Sequence, residues 1–114
     1  MGIIAKMRRQ RAILWERAPG YDAEGRPAYL WPVEIACRWD DENREERDAR
    51  GQLFVTRAVV YVDRVLKLGD VLKKGALDST TPAIPDGIEG AYPIRAFRET
   101  PDFKARNFLY TALL

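Results

Sequence analysis

Three features of the chain predict an all-β fold, a small β-barrel or sandwich. Residues 29–41 (YLWPVEIACRWDD) place Tyr29, Trp31, Val33, Ile35, Cys37 and Trp39 on alternate positions. That period of two is the mark of a long strand with one face buried. Residues 53–63 (LFVTRAVVYVD) are β-branched or aromatic at most positions of both faces. Such a run suits a central strand, or one with core on one side and a subunit contact on the other. Turn signals recur between these runs: Pro19-Gly20-Tyr21-Asp22, Glu24-Gly25-Arg26-Pro27, Lys67-Leu68-Gly69-Asp70 and Glu99-Thr100-Pro101-Asp102.

Residues 1–11 form a basic N-terminal arm, with Lys6, Arg8, Arg9 and Arg11 and no acid. It reads as a flexible or short helical segment, either a solvated terminus or a docking arm for an acidic neighbour or a nucleic acid. Residues 12–18 (AILWERA) are a first strand. The two turns that follow return the chain antiparallel, so this strand pairs with the long strand 28–39. Pro32 lies inside that strand and cannot donate to a ladder, which predicts a bend or bulge there. Residues 40–52 are a charged loop closed by Gly51. A short strand is expected over 71–74, and a loop over 75–90 with Pro82, Pro85 and Ser79-Thr80-Thr81. Residues 92–98 (YPIRAFR) are a further strand. The segment 103–114 is ambiguous: Thr, Tyr and Phe favour a strand, whereas Lys104, Ala105, Arg106 and Leu109 suit a helix. A closing strand over 106–113 would complete a barrel. There is no internal repeat and no low-complexity tract.

Composition narrows the function. A chain of 114 residues reads as one domain, 1–114, and at this size folding buries about two-thirds of the unfolded surface. Apolar content of 46% with 32% charge excludes wholesale disorder. A net charge of +2 implies no bulk electrostatic grip on nucleic acid. Cys37 is the single cysteine. It cannot form an intramolecular disulfide, it is expected to be buried and inert, and it fits assembly in a reducing cytoplasm. No signal peptide or apolar run of membrane-spanning length is seen, and Lys6 breaks the myristoylation pattern after Met-Gly. The chain has no histidine, and therefore lacks the commonest general base and metal ligand. It has no phosphate loop, no nucleophile elbow and no zinc-type thiolate cluster. No enzyme, cofactor or metal site is expected.

The charged loop and the aromatic residues remain as candidates. Asp40, Asp41, Glu42, Glu45, Glu46 and Asp48 face Arg44, Arg47 and Arg50 within one segment that lacks an apolar face. It reads as extended and mobile, since a helix there would need a partner surface. Three roles are open: a solvated loop, an interaction loop pairing charges across subunits, or a transient DNA contact through the arginines, against which the six acids work. Trp31 and Trp39 share the apolar face of one strand and are expected in the core. Tyr21, Tyr110 and Trp15 are candidates for subunit contacts.

The chain also carries Trp31-Pro32-Val33, Cys37-Arg38-Trp39-Asp40-Asp41, Gly51, Val60-Tyr61-Val62-Asp63, Leu68-Gly69-Asp70 with Leu72 and Gly75, Ala91-Tyr92-Pro93-Ile94-Arg95, and Pro101-Asp102-Phe103-Lys104-Ala105 before an apolar C-terminus. This order, from about Trp31 to Leu114, resembles the head-tail connector or head-closure (stopper) proteins of tailed bacteriophages. None of these motifs is catalytic. The resemblance implies a β-barrel subunit of a homo-oligomeric ring, sixfold or twelvefold, at the head-tail junction of the virion, assembled in the host cytoplasm. A portal or adaptor protein would lie above the ring and a tail-terminator protein below it. It further implies that loop 40–52 projects into the channel and meets packaged double-stranded DNA transiently. On these positions Asp41, Glu42, Arg44, Glu45, Glu46, Arg47, Asp48 and Arg50 form the channel or interaction loop, with Arg44, Arg47 and Arg50 as lumen candidates. Lys6, Arg8, Arg9 and Arg11 form a docking arm that matches no family pattern. The rival readings are another neck protein, adaptor or tail terminator, and a small-barrel nucleic-acid-binding module.

Overall fold

The computed structural model of the chain describes residues 10–99 and 110–114. They are all-β. The strands are β1 (Gln10–Trp15), β2 (Arg17–Tyr21), β3 (Pro27–Tyr29), β4 (Val33–Asp40), β5 (Glu45–Arg47), β6 (Leu53–Val55), β7 (Val59–Val62), β8 (Val71–Lys74), β9 (Ala91–Pro93), β10 (Ala96–Glu99) and β11 (Tyr110–Leu113). Seven of them form one antiparallel sheet in the order β10-β11-β7-β4-β1-β8-β9, while β2-β3 and β5-β6 form two separate ribbons.

The sheet curls because its connectivity leaves no alternative. A flat seven-stranded sheet would hold its two edge strands about 29 Å apart. Only Ile94 and Arg95 separate β9 on one edge from β10 on the other, and the three Cα steps from Pro93 to Ala96 reach at most about 11 Å. The edges must therefore approach each other. Backbone bonds hold the corner: Ile94 N–H donates to the Asp70 carbonyl (2.8 Å), Gly69 N–H to Ile94 (3.3 Å) and Arg95 N–H to Leu113 (2.8 Å). The main core fills the concave side with Ala12, Leu14, Ile35, Cys37, Trp39, Val60, Val62, Leu72, Ile94, Ala112 and Leu114.

Two smaller clusters lie on the other face of the strands. Ile13, Trp15 and Val71 are covered by Tyr29, Ile88 and Ala91, and Trp15 Nε1 donates to the Pro82 carbonyl at 3.0 Å. The loop 75–90 thus serves as a cover for β1 and β8. Val59, Ala96 and Leu113 are covered by Phe54 of β6, with Tyr61 alongside. The apolar positions on both faces of residues 59–62 have this origin.

Several expected elements are subdivided or moved. The first strand begins earlier, and Glu16 breaks it into β1 and β2. The hairpin with the long strand is present in two tiers, β1 with β4 and β2 with β3, bridged by Leu30 N–H donating to Glu16 at 2.9 Å. Strand 28–39 is interrupted at residues 30–32, where Pro32 was expected to bend it. The bend removes Trp31 from the core: it is 78% exposed, whereas Trp39 is buried. Residues 53–63 divide into β6 and β7 around the fully buried Thr56. Residues 92–98 divide into β9 and β10 at the corner. Of the strand expected over 106–113, residues 110–113 are β11 and the remainder lies outside the described residues. Arg11 belongs to β1 and not to an arm: it pairs with Ala36 and lies 3.6 Å from Glu34. Lys6, Arg8 and Arg9 lie outside the described residues. Among the described residues, no helix is long and apolar enough to cross a membrane.

Candidate functional site

The charged segment is an ordered hairpin folded onto the sheet, not an extended mobile loop. β5 pairs with β6 in the register Glu45↔Val55, Glu46↔Phe54 and Arg47↔Leu53. Period two then gives the ribbon two unlike faces. Glu46 and Phe54 face the sheet; Glu45, Arg47, Leu53 and Val55 face solvent.

Two anchors hold the inner face. Phe54 closes the cluster of Val59, Ala96 and Leu113, and the Arg95 guanidinium lies 4.3 Å from its ring centroid. Glu46, with a side chain only 16% exposed, sits between two arginines: its Oε1 is 2.8 Å from Arg98 and its Oε2 is 3.0 Å from Arg44 Nε. The latter contact is an ion pair whose angle forms no hydrogen bond, which leaves the buried Arg44 Nε–H without one. Arg44 also reaches Glu42 at 3.3 Å. Partial burial between two cations makes the Glu46 pairings stronger than exposed surface bridges.

Thr56 fastens the base of the hairpin. Its hydroxyl donates to the Glu42 carbonyl at 2.5 Å and accepts from Arg44 N–H at 3.1 Å. Its own N–H donates to the Arg44 carbonyl at 3.0 Å. Asp48 organises the tip: Oδ1 accepts from the N–H groups of Arg50 and Gln52, both at 2.9 Å. Gly51 completes the turn with φ at 81°, the left-handed region where a Cβ is disfavoured. Arg47 donates to the Gly51 carbonyl at 2.7 Å. Asp41 accepts from Trp39 Nε1 at 2.9 Å, which orients the indole as the strand leaves the core.

The eight residues predicted for the loop therefore separate by role. Arg44 and Glu46 turn inward and hold the hairpin down. Asp41 and Asp48 shape its entry and its tip. Glu45, Arg47 and Arg50 are exposed, as is Glu42. Phe54, Thr56, Arg95 and Arg98 complete the site; the sequence assigned none of them a role there, Arg95 standing only within the Ala91–Arg95 run. Only the apolar Phe54 gave a signal, inside a run read as one strand. A cleft of about 420 Å³ opens between the hairpin tip and the sheet, lined by Arg47, Asp48, Leu66, Leu68, Phe97 and Arg98. Among the described residues, no three carboxylate or thiol groups converge as a metal site would require.

Cys37 is fully buried, and burial pushes its thiol up to about 11. A thiol so protonated is a core methyl-like group and a poor nucleophile. No protein-family model, curated protein or solved structure matches this chain.

Proposed function

We propose that the chain is a structural neck protein of a tailed bacteriophage, a stopper-type head-tail connector with no catalytic role. In this reading the copies form a ring, sixfold or twelvefold, that closes the DNA exit channel after packaging and offers its opposite face to the tail. The observation that supports it most is the placement of the charged hairpin 45–55. It connects the neighbouring strands β4 and β7 of a curled all-β sheet and carries Arg47 and Arg50 to an exposed, mixed-charge tip. Mixed charge suits a surface that meets DNA without binding it tightly. Arg44 is withdrawn from the set of lumen candidates by its contacts with Glu42 and Glu46. A helical C-terminal segment and a helical arm would favour the adaptor or terminator alternative; residues 110–113, within the described part of the C-terminal segment, are a strand.

The test is cryo-electron microscopy of the particle that carries this chain, focused on the neck, together with particles bearing Arg50→Glu. The expected result is a ring of β subunits at the head-tail junction, with residues 47–51 toward the lumen and DNA leakage in the variant. Absence of the chain from the neck would end the proposal.

A further inference from the structure

The outer face of the β5-β6 ribbon is exposed, with no cover among the described residues. Leu53 and Val55 are 58% and 57% exposed, side by side on β6. Glu45 and Arg47 occupy the matching positions on β5. Aliphatics thus line one strand and opposite charges the other, in the pattern Glu45–Val55 above Arg47–Leu53.

This quartet is complementary to itself under one operation. Consider a two-fold axis parallel to the plane of the ribbon, above its outer face, and perpendicular to its strands. It keeps β5 opposite β5 and reverses position along the strand. Glu45 then meets Arg47 of the second copy, twice, and Leu53 meets Val55 of the second copy, twice. A two-fold axis parallel to the strands would instead set charges against aliphatics. We infer that this face is a docking surface for a second copy of this chain, paired isologously through Glu45, Arg47, Leu53 and Val55. The ribbon would then be the middle layer of a stack: sheet, ribbon, partner ribbon, sheet. Face-to-face β layers pack about 10 Å apart, within reach of a Glu–Arg pair.

Four side chains per copy cover far less than the roughly 800 Å² per partner of a stable interface. The association is therefore weak and concentration-dependent, and register comes from the charges. Adjacent copies of a ring meet head to tail, so this pairing belongs to the free chain. It does not rest on the neck reading.

Sedimentation of the purified full chain across a wide concentration range tests it, together with cross-linking. The wild type is expected to show a weak reversible dimer. Glu45→Arg and Arg47→Glu alone should each weaken it at least tenfold, and the double exchange Glu45→Arg with Arg47→Glu should restore it. Short maleimide cross-linking should join a mixture of Leu53→Cys and Val55→Cys proteins more readily than either alone. Native Cys37, being buried, does not compete. A monomer at every concentration, or single reversals that leave a dimer unchanged, would overturn the inference. So would failure of the double exchange to restore association in a protein with native circular dichroism.

Discussion

Asp70 shows how much one side chain can organise. It is fully buried, and its two carboxylate oxygens accept from the N–H groups of Arg17 (2.7 Å) and Lys67 (2.9 Å). Its carbonyl receives Ile94 at the sheet corner. One residue thus joins the start of β2, the turn before β8 and the meeting of the two sheet edges. Asp70→Ala would orphan two backbone donors at about 1–3 kcal/mol each, so a urea melt should report a loss of roughly 2–5 kcal/mol. Asp70→Asn, which keeps one acceptor, should fall between. A loss below about 0.5 kcal/mol in the alanine variant, the range of an ordinary surface change, would show that the turn forms without this acceptor. Arg17 has a comparable role in the ribbon. Its guanidinium donates to the carbonyls of Ala18, Gly20 and Ala28 and lies over Tyr21 and Tyr29. In the sequence, Asp70 stood out only in a turn and in the Leu68-Gly69-Asp70 motif, because its partners Ile94 and Arg17, 24 and 53 positions away, cannot be read from spacing.

The β5-β6 hairpin shows how an element can be present in the sequence and misassigned. Its charges were legible, and so was the absence of an apolar face within residues 40–52. Its order was not, because the apolar anchor, Phe54, lies beyond the charged run and was counted with the following strand. The hairpin is tied down by Phe54, Glu46 and Thr56, all of them reaching outside residues 47–52. Phe54→Ala removes the central anchor and should cost about 3 kcal/mol, as for an aromatic truncated in a small cluster. The loss should be local. Hydrogen exchange should quicken about a hundredfold for amides of 45–55 while β1 and β4 keep their protection. Uniform loss of protection across the sheet would mean that the hairpin is integral to the fold and not a layer laid on it. The break at residues 30–32 teaches the same lesson. Period two correctly identified the strand, and Pro32 correctly marked its bend, yet Trp31 was placed in the core because alternation was continued through the bend.

For the molecule as a whole, the decisive feature is that β11, the last described strand, lies inside the sheet between β10 and β7. Leu113 and Leu114 are buried, and Leu114 exchanges backbone bonds with Arg57 and Ala58. Removal of residues 110–114 should therefore abolish cooperative folding: near-ultraviolet circular dichroism should be lost and the thermal transition should vanish. A truncated chain that melts sharply would show that the sheet can close without its seventh strand. The amino-acid order by itself determined the fold class and the antiparallel pairing of the first strand, 12–18, with the long strand, 28–39, though not its division into two tiers. It also determined the loop at 75–90 and the burial of Cys37 and Trp39. These depend on local period, turn chemistry and the absence of breakers, all of which act over a few residues. Only the tertiary structure decided that residues 94–95 bring the sheet's two edges together and that Trp31 is outside. It likewise decided that the charged segment is a pinned ribbon with one exposed face. These features depend on which distant surfaces meet. A curled sheet has two faces to cover, and the local pattern that marks a residue as apolar does not say which face it will serve.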